Sequence, residues 1–376
     1  MSGTLEGLRI IELAGIGPAP FAGMMLADHG ADVIRVERPG TPGSAKNILH
    51  RSRRCICVDM KRPEGIRIVR ELTRNADGLI EGFRPGVMER LGLGPDELIG
   101  ENPRLVYGRM TGWGQSGPYA QTAGHDINYI ALAGALEPLG RAGEQPTPPI
   151  NLLGDFGGGG MLMAFGMVSA LLSAARTGRG QVVDCAIVDG SALQMSMIWA
   201  MRAAGRWSDE RGTNLLDTGA HFYDTYATAD GKYVSIGAIE PQFYSLLREK
   251  LGLTSDVEFD AQMKKDKWPA LKQRLAKVFA SRTRDEWCEL LEGTDACFAP
   301  VLSMGEATSH PHNATRRMFV EAGGVTQPAP APRFSATPAV PPRMCPSPDA
   351  DASDVMAQLG YDRTRVAELK SQGVIG

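Results

Sequence analysis

Two polar clusters thirty residues apart hold the groups best suited to moving protons: Gly124-His125-Asp126-Ile127-Asn128-Tyr129, and Gly154-Asp155-Phe156 followed by four glycines. An imidazole titrates near neutrality, so His125 can both donate and accept a proton at working pH. Asp155, set among glycines that keep the backbone approachable, adds a carboxylate. Placed on two sides of one small substrate, such a pair has the equipment for a carbanion reaction that inverts a carbon centre.

The surroundings of Asp155 sharpen this. Residues 157–175 run without a charge. If their helix starts among the glycines, Asp155 lies at its N-terminus, where free N–H groups and the macrodipole keep a carboxylate ionised. The same N–H groups could hold an enolate oxygen. A helix-capping Asp in a glycine-rich turn, with no chemistry, fits the same residues. Glu240, in Ile239-Glu240-Pro241-Gln242, follows an expected strand and precedes an expected helix. It reads either as a cap-region acid before a first-turn proline or as a carboxylate that orients an imidazole. Of the other histidines, only His221, in a loop before a hairpin, is not easily assigned to an ordinary context. Arg38, Lys61 and Arg84 fall just after expected strands or at helix starts, the ligand-facing edge of an open α/β sheet. There they could bind phosphates, although each alone also reads as solvated surface charge.

These residues need a scaffold. Expected strands at 8–13, 31–36, 78–82 and 105–110 alternate with expected helices at 18–29, 62–76 and 85–91, which implies parallel strands with crossover helices covering both faces. An apolar helix after Asp155, a strand at 181–188 and a Met- and Trp-rich helix at 191–205, read as core or subunit interface, continue the series. From residue 222 the pattern changes: strands at 222–226 and 233–236 flank Ala229-Asp230-Gly231, and helices follow at 242–251, 268–280 and 286–291, the last capped by Thr283. The expectation is a Rossmann-like large domain from 1–205 and 320–376, and a smaller α+β domain from 206–319. Residues 327–348 hold eight prolines and are expected to form an extended arm, with an amphipathic helix over 354–370.

Composition excludes several classes. The 376 residues carry a net charge of −3 with no block of like charge, so neither nucleic acid nor an anionic membrane is an expected partner. The glycine load of the apolar run favours a buried helix over a membrane span. Six cysteines are too sparse for a disulfide scaffold, and Cys55-Ile56-Cys57, with both cysteines on one face of an expected strand, lacks a second pair to complete a zinc site. With no basic, apolar leader pattern, reduced cysteines and a cytoplasmic location are expected. Gly15-Ile16-Gly17-Pro18-Ala19-Pro20 begins like a dinucleotide fingerprint but has proline where phosphate-cradling N–H groups belong. Walker A and HExxH patterns are missing from the sequence, and no metal is expected.

Residues 8–15, Gly30-Ala31-Asp32-Val33-Ile34-Arg35-Val36-Glu37, Glu81-Gly82-Phe83-Arg84-Pro85-Gly86, and the tail segments Leu359-Gly360-Tyr361 and Ala367-Glu368-Leu369-Lys370 resemble the family III CoA-transferase superfamily. Within it, Met110-Thr111-Gly112-Trp113-Gly114-Gln115 and the His125, Asp155 and Glu240 segments look like the α-methylacyl-CoA racemase branch. The resemblance implies the family III fold, an interlocked homodimer, and epimerisation of 2-methylacyl-CoA thioesters without metal or organic cofactor, CoA being part of the substrate. It implies His125, supported by Glu240, as one acid/base and Asp155 as the other. Arg38, Lys61, Arg84, Gly124, Asp126 and Tyr129 would then lie along the CoA portion. The rival within the superfamily is a CoA-transferase with Asp155 as covalent nucleophile, and a catalytically silent CoA-binding protein is a third reading.

Overall fold

The computed structural model describes residues 3–43 and 45–376. Two compact units divide the chain: Met1–Ala133, Ile150–Gln194 and Arg317–Gly376 form the first, and Gly134–Pro149 with Met195–Arg316 the second. Residues 134–149 and 195–205, assigned above to the large domain, therefore belong to the smaller unit. The reason is visible for the first of these segments. Arg141 grips both carboxylate oxygens of buried Asp224 at 2.8 and 2.9 Å, and Arg211 binds Glu137 at 2.7 Å.

The first unit is built on strands β1 (Arg9–Leu13), β2 (Asp32–Glu37), β3 (Arg54–Cys57), β4 (Gly78–Glu81), β5 (Val106–Thr111) and β6 (Val182–Ala186). They pair in parallel in the order β3-β2-β1-β4-β5-β6. Successive strand residues point to opposite faces, so Ile10 and Ile11 enter different cores. One face packs Ile11, Ile34, Ile56 and Leu79 against Ile68 and Leu72 of helix Pro63–Arg74 and against Val355 and Leu369 of the C-terminal helices. The other packs Ile10, Val33, Ile80 and Val106 against Ala22 and Leu26 of helix Pro18–Asp28 and Met163 and Met167 of helix Leu162–Thr177. Each of these Ile, Val, Leu and Met side chains contributes about 1.5–3 kcal/mol on burial. Helices Pro18–Asp28, Pro63–Arg74 and Pro95–Glu101 open on proline, whose missing N–H is one the first turn leaves unpaired anyway.

Three local expectations are corrected. The apolar helix does not start among the glycines. Its first segment, Leu152–Met161, is a wide π-helical stretch that already contains Asp155 and runs directly into Leu162–Thr177. The glycines serve close packing: a Cβ on Gly160 would meet Pro18 O at 2.8 Å, and one on Gly190 would meet Gly158 O at 1.9 Å. Strand β6 ends at Ala186 and a helix begins at Ile187, so the single helix expected over 191–205 is two, Ile187–Gln194 and Ser196–Ala203. The second has no buried residue, with Met197 and Trp199 both 57% exposed, so it is not core. The long apolar helix Leu152–Thr177 has the length and composition of a membrane span, yet half of its apolar window is buried within the fold.

Strand β3 is an edge of the sheet, and the proline-rich arm covers it. Ser52 N–H donates to Arg343 O at 2.7 Å, Cys55 N–H to Asp351 Oδ2 at 2.9 Å and Cys57 N–H to Asp349 Oδ1 at 3.1 Å. This blunts an otherwise open edge. It also pairs Cys55 with Cys345, Sγ to Sγ 2.7 Å, rather than with its sequence neighbour Cys57. Before the arm, β10 (Phe319–Ala322) and β11 (Val325–Pro328) form a hairpin turned by Gly323 and Gly324, both with positive φ.

The second unit holds the antiparallel sheet β7 (Tyr223–Ala227), β8 (Tyr233–Gly237) and β9 (Phe298–Pro300). Helices Pro241–Lys250, Trp268–Phe279 and Arg284–Leu291 cover it, the last capped reciprocally by Thr283 and Glu286. Phe222, Val234, Ile236, Leu271, Phe279 and Trp287 form its core. His221 is buried there, bonded to the Tyr244 hydroxyl at 2.7 Å, and is structural.

Candidate active site

Strand order reverses between β1 and β4, and in open α/β sheets the crevice beyond the carboxyl ends of the strands at that switch point receives ligands. A cavity of about 560 Å³ occupies that place. Ala14 and Gly15 after β1, Glu37 and Arg38 at the end of β2, Gly82 and Phe83 after β4, and Thr111 and Gly112 at the end of β5 line it. Gly124, His125, Tyr129 and Asp155 complete the wall, so the two clusters meet in one cavity.

His125 is exposed and caps helix Asp126–Leu132, its backbone N–H donating to Asn128 Oδ1 at 3.1 Å. Tyr129, on the same helix, is 8% exposed, and its hydroxyl donates to Gly124 O. Trp113 packs edge-on against it at 4.7 Å between ring centroids. A Cβ on Gly112 would lie 2.1 Å from the Tyr129 ring and one on Gly124 2.8 Å, so both glycines are required by that ring. Burial chiefly, then the charges of Asp155 and Asp126, push the Tyr129 hydroxyl up.

Asp155 is half-buried. Burial, and after it the Asp126 carboxylate, push its carboxyl above the ordinary value, while His125 and a hydrogen bond from Asn151 pull it down. The sequence expectation was the reverse: a helix N-terminus holding Asp155 ionised. Asp155 still lies in the first turn of the helix that begins at Leu152, but burial and the neighbouring Asp126 carboxylate outweigh what the helix end offers a negative charge. The Asp155 N–H itself donates to Asp126 Oδ1 at 2.6 Å, so it is not among the N–H groups left to hold an oxyanion. On the far side, Asp155 Oδ2 faces Gly17, where a Cβ would come within 3.5 Å and where φ is +75°. The Gly15-Ile16-Gly17 turn, dismissed as a dinucleotide fingerprint, is therefore a wall of this cavity.

Beneath the β1 and β2 rim lies a buried ion network. Glu12 bonds Arg35 through one oxygen and Arg53 through the other, and Arg35 Nε reaches Glu37 at 2.7 Å. A Cβ on Gly23 would collide with Glu12 Oε2, so helix Pro18–Asp28 approaches only as glycine there. No sequence pattern announced this network, because its members are spread over β1, β2 and the residue that precedes β3.

Of the predicted substrate-contacting residues, Arg38, Gly124 and Tyr129 line the cavity, and Asp126 is buried behind it at 6% exposure. Lys61 and Arg84 are exposed, follow β3 and β4 on the same edge of the sheet, and do not line it. Glu240 belongs to the second unit. It is exposed, precedes helix Pro241–Lys250 and makes no side-chain cap.

The model of CoA-transferase family III matches residues 5–352. The chain is 48% identical to the alpha-methylacyl-CoA racemase of Mus musculus and 46% identical to that of Homo sapiens, in each case over 99% of this chain and 97% of the relative. Among solved structures, a CAIB/BAIF family protein from Brucella suis superposes with a TM-score of 0.82 at 27% identity, covering 96% of this chain and all of that one.

Proposed function

The chain belongs to CoA-transferase family III, and from that premise we propose that it is an isomerase that interconverts the 2R and 2S epimers of 2-methylacyl-CoA thioesters. The observation that carries the reading is the meeting of His125 and Asp155 in one cavity at the carboxyl ends of the sheet strands. In the proposed reaction one base takes the proton from C2, leaving an enolate conjugated with the thioester carbonyl. The conjugate acid of the other then protonates C2 from the opposite face. Thioester α-protons are weak acids, so both groups must exchange protons near neutrality. An imidazole does so unaided, and the raised Asp155 carboxyl moves toward that range. The enolate oxygen needs donors other than the Asp155 N–H, which Asp126 already holds.

Glu240 is proposed to orient the His125 imidazole, and Arg38, with Lys61 and Arg84 on the same sheet edge, to attract the phosphates of CoA. The thioester supplies its own activation, so the proposal includes no resident metal or organic cofactor. It does include a cytoplasmic homodimer. Supporting self-association, Met161, Phe165, Val168 and Leu172 form an exposed stripe at helical spacing, between 39 and 70% accessible. The six cysteines, none of them in a disulfide, suit a reducing compartment.

The test is incubation with a single 2-methylacyl-CoA epimer and no acceptor acid. Epimerisation supports the proposal. Its absence, together with CoA transfer to an added carboxylate, would establish the transferase chemistry of Asp155 instead.

A further inference from the structure

Asp126 is nine-tenths buried, and its two oxygens are used unequally. Oδ1 accepts the Asp155 N–H at 2.6 Å, while Oδ2 has no partner among the described residues. A buried carboxylate oxygen without a donor is costly and calls for an explanation. Favour from the dipole of helix Asp126–Leu132 explains an acid at its first position, but not the reach to Asp155. The neighbouring chain is fitted to that reach. Residue 154 is glycine, and a Cβ there would stand 2.5 Å from Asp126 Oδ1.

We infer that Asp126 is a positioning residue for the second base: it anchors the Asp155 backbone and supplies a second negative charge behind the reacting carboxyl. The inference rests on the racemase reading of the site. Two carboxylates in one pocket cannot both ionise freely, so the one facing the substrate holds its proton to higher pH. The observed direction at Asp155 agrees, with burial the larger cause and Asp126 the second.

The other charges about Asp155 are few. His125 opposes the shift, and Tyr129 is a neutral hydroxyl bonded to Gly124. On helix Pro18–Asp28, Asp28 is paired with Arg51. Asp184 on β6 and Asp189 on helix Ile187–Gln194 act on Cys185, and Arg176 lies in the last turn of Leu162–Thr177. Across the cavity, Glu37 is paired with Arg35, and Arg38 lines the rim.

The experiment compares Asp126→Asn and Asp126→Ala with the full-length parent. Asn keeps an acceptor oxygen and removes the charge, so kcat/KM should keep its bell shape with the acidic limb moved to lower pH and KM little changed. Ala removes the anchor as well, and kcat should fall on the order of 10²-fold, the loss typical of a misplaced catalytic group. Independently of turnover, the Asp155 carboxyl can be titrated by ¹³C NMR, assigned by its disappearance in Asp155→Asn. In the parent it should titrate above ordinary carboxylates, and in Asp126→Asn it should move down. An unmoved acidic limb in an active Asp126→Asn enzyme, or an Asp155 carboxyl that titrates in the ordinary range in the parent, overturns the inference. A parent that never epimerises, yet shows the raised carboxyl and its fall in Asp126→Asn, refutes the racemase reading, and with it the role as support for a second base, while the coupling of Asp126 to Asp155 stands.

Discussion

Gly154→Ala separates a helix that merely contains glycine from one whose glycine is demanded by the site. In a helix, Ala is favoured over Gly by about 0.8–1 kcal/mol, so with no other effect the variant would be stabilised. The structure reverses the sign. The added methyl would stand 2.5 Å from Asp126 Oδ1 and 3.0 Å from Ile130 Cγ2, against a comfortable C···O separation of about 3.3–3.6 Å. One partner must retreat by roughly 1 Å. A retreat of that size breaks the 2.6 Å bond from the Asp155 N–H. A charge-assisted bond of this kind contributes about 1.5–3 kcal/mol, leaving a net loss of about 0.5–2 kcal/mol after the helix gain. Displacing Asp155 by that distance should lower kcat on the order of 10²-fold. Urea denaturation and epimerisation kinetics read both quantities. Gly100→Ala is the control, because that residue lies in helix Pro95–Glu101 and a Cβ there meets nothing within 4 Å. It should be neutral or stabilised by up to about 1 kcal/mol with unchanged kinetics. A Gly154→Ala protein that is more stable than the parent and equally active would refute the reasoning.

Three further outcomes are expected. Glu12→Gln leaves Arg35 and Arg53 buried without their shared carboxylate, and should cost about 3–5 kcal/mol in urea denaturation at unchanged m; a loss under 1 kcal/mol would show that the network is not buried as described. Burial pushes the His221 imidazole down to about 3 from 6.5, with Lys272 adding to it, so only the unfolded chain takes up a proton between those values. The stability from this group is complete above pH 6.5 and declines by about 1.4 kcal/mol per unit as pH falls toward 3. His221→Gln should flatten that slope in denaturation at pH 7, 5 and 4, and an unchanged slope would contradict the assignment. Phe165→Glu, at the most exposed point of the apolar stripe, should convert a dimeric parent to monomer in sedimentation velocity, whereas a variant that stays dimeric would place the interface elsewhere.

The alternation of strands and helices in the first third was legible because each strand there is a short apolar run bounded by turns, and each crossover helix opens on a proline or carries an apolar stripe. His125 and Asp155 were legible because rare residue types stood beside glycine. What escaped were effects of packing. Local pattern could not reveal that glycines 157–160 continue a helix, since their role is to let Pro18, Phe21 and Ser191 approach. The hold of Asp126 on the Asp155 N–H spans twenty-nine residues and leaves no periodic trace. The pairing of Cys55 with Cys345 crosses 290 residues and depends on how the arm lies on β3. The start of the second unit at Gly134 depends on Arg141 finding Asp224, again a contact without local signature.

The central claim is that two bases work from opposite faces of one carbon. Its most direct test is solvent deuterium exchange by enzymes that lack one base each, assayed with each epimer separately in D₂O. Asp155→Ala should wash the α-proton out of one epimer without epimerising it, through His125. His125→Ala should do the same to the other epimer only, through Asp155. Loss of exchange on the same epimer in both variants, or epimerisation that survives in either, would contradict the two-base account.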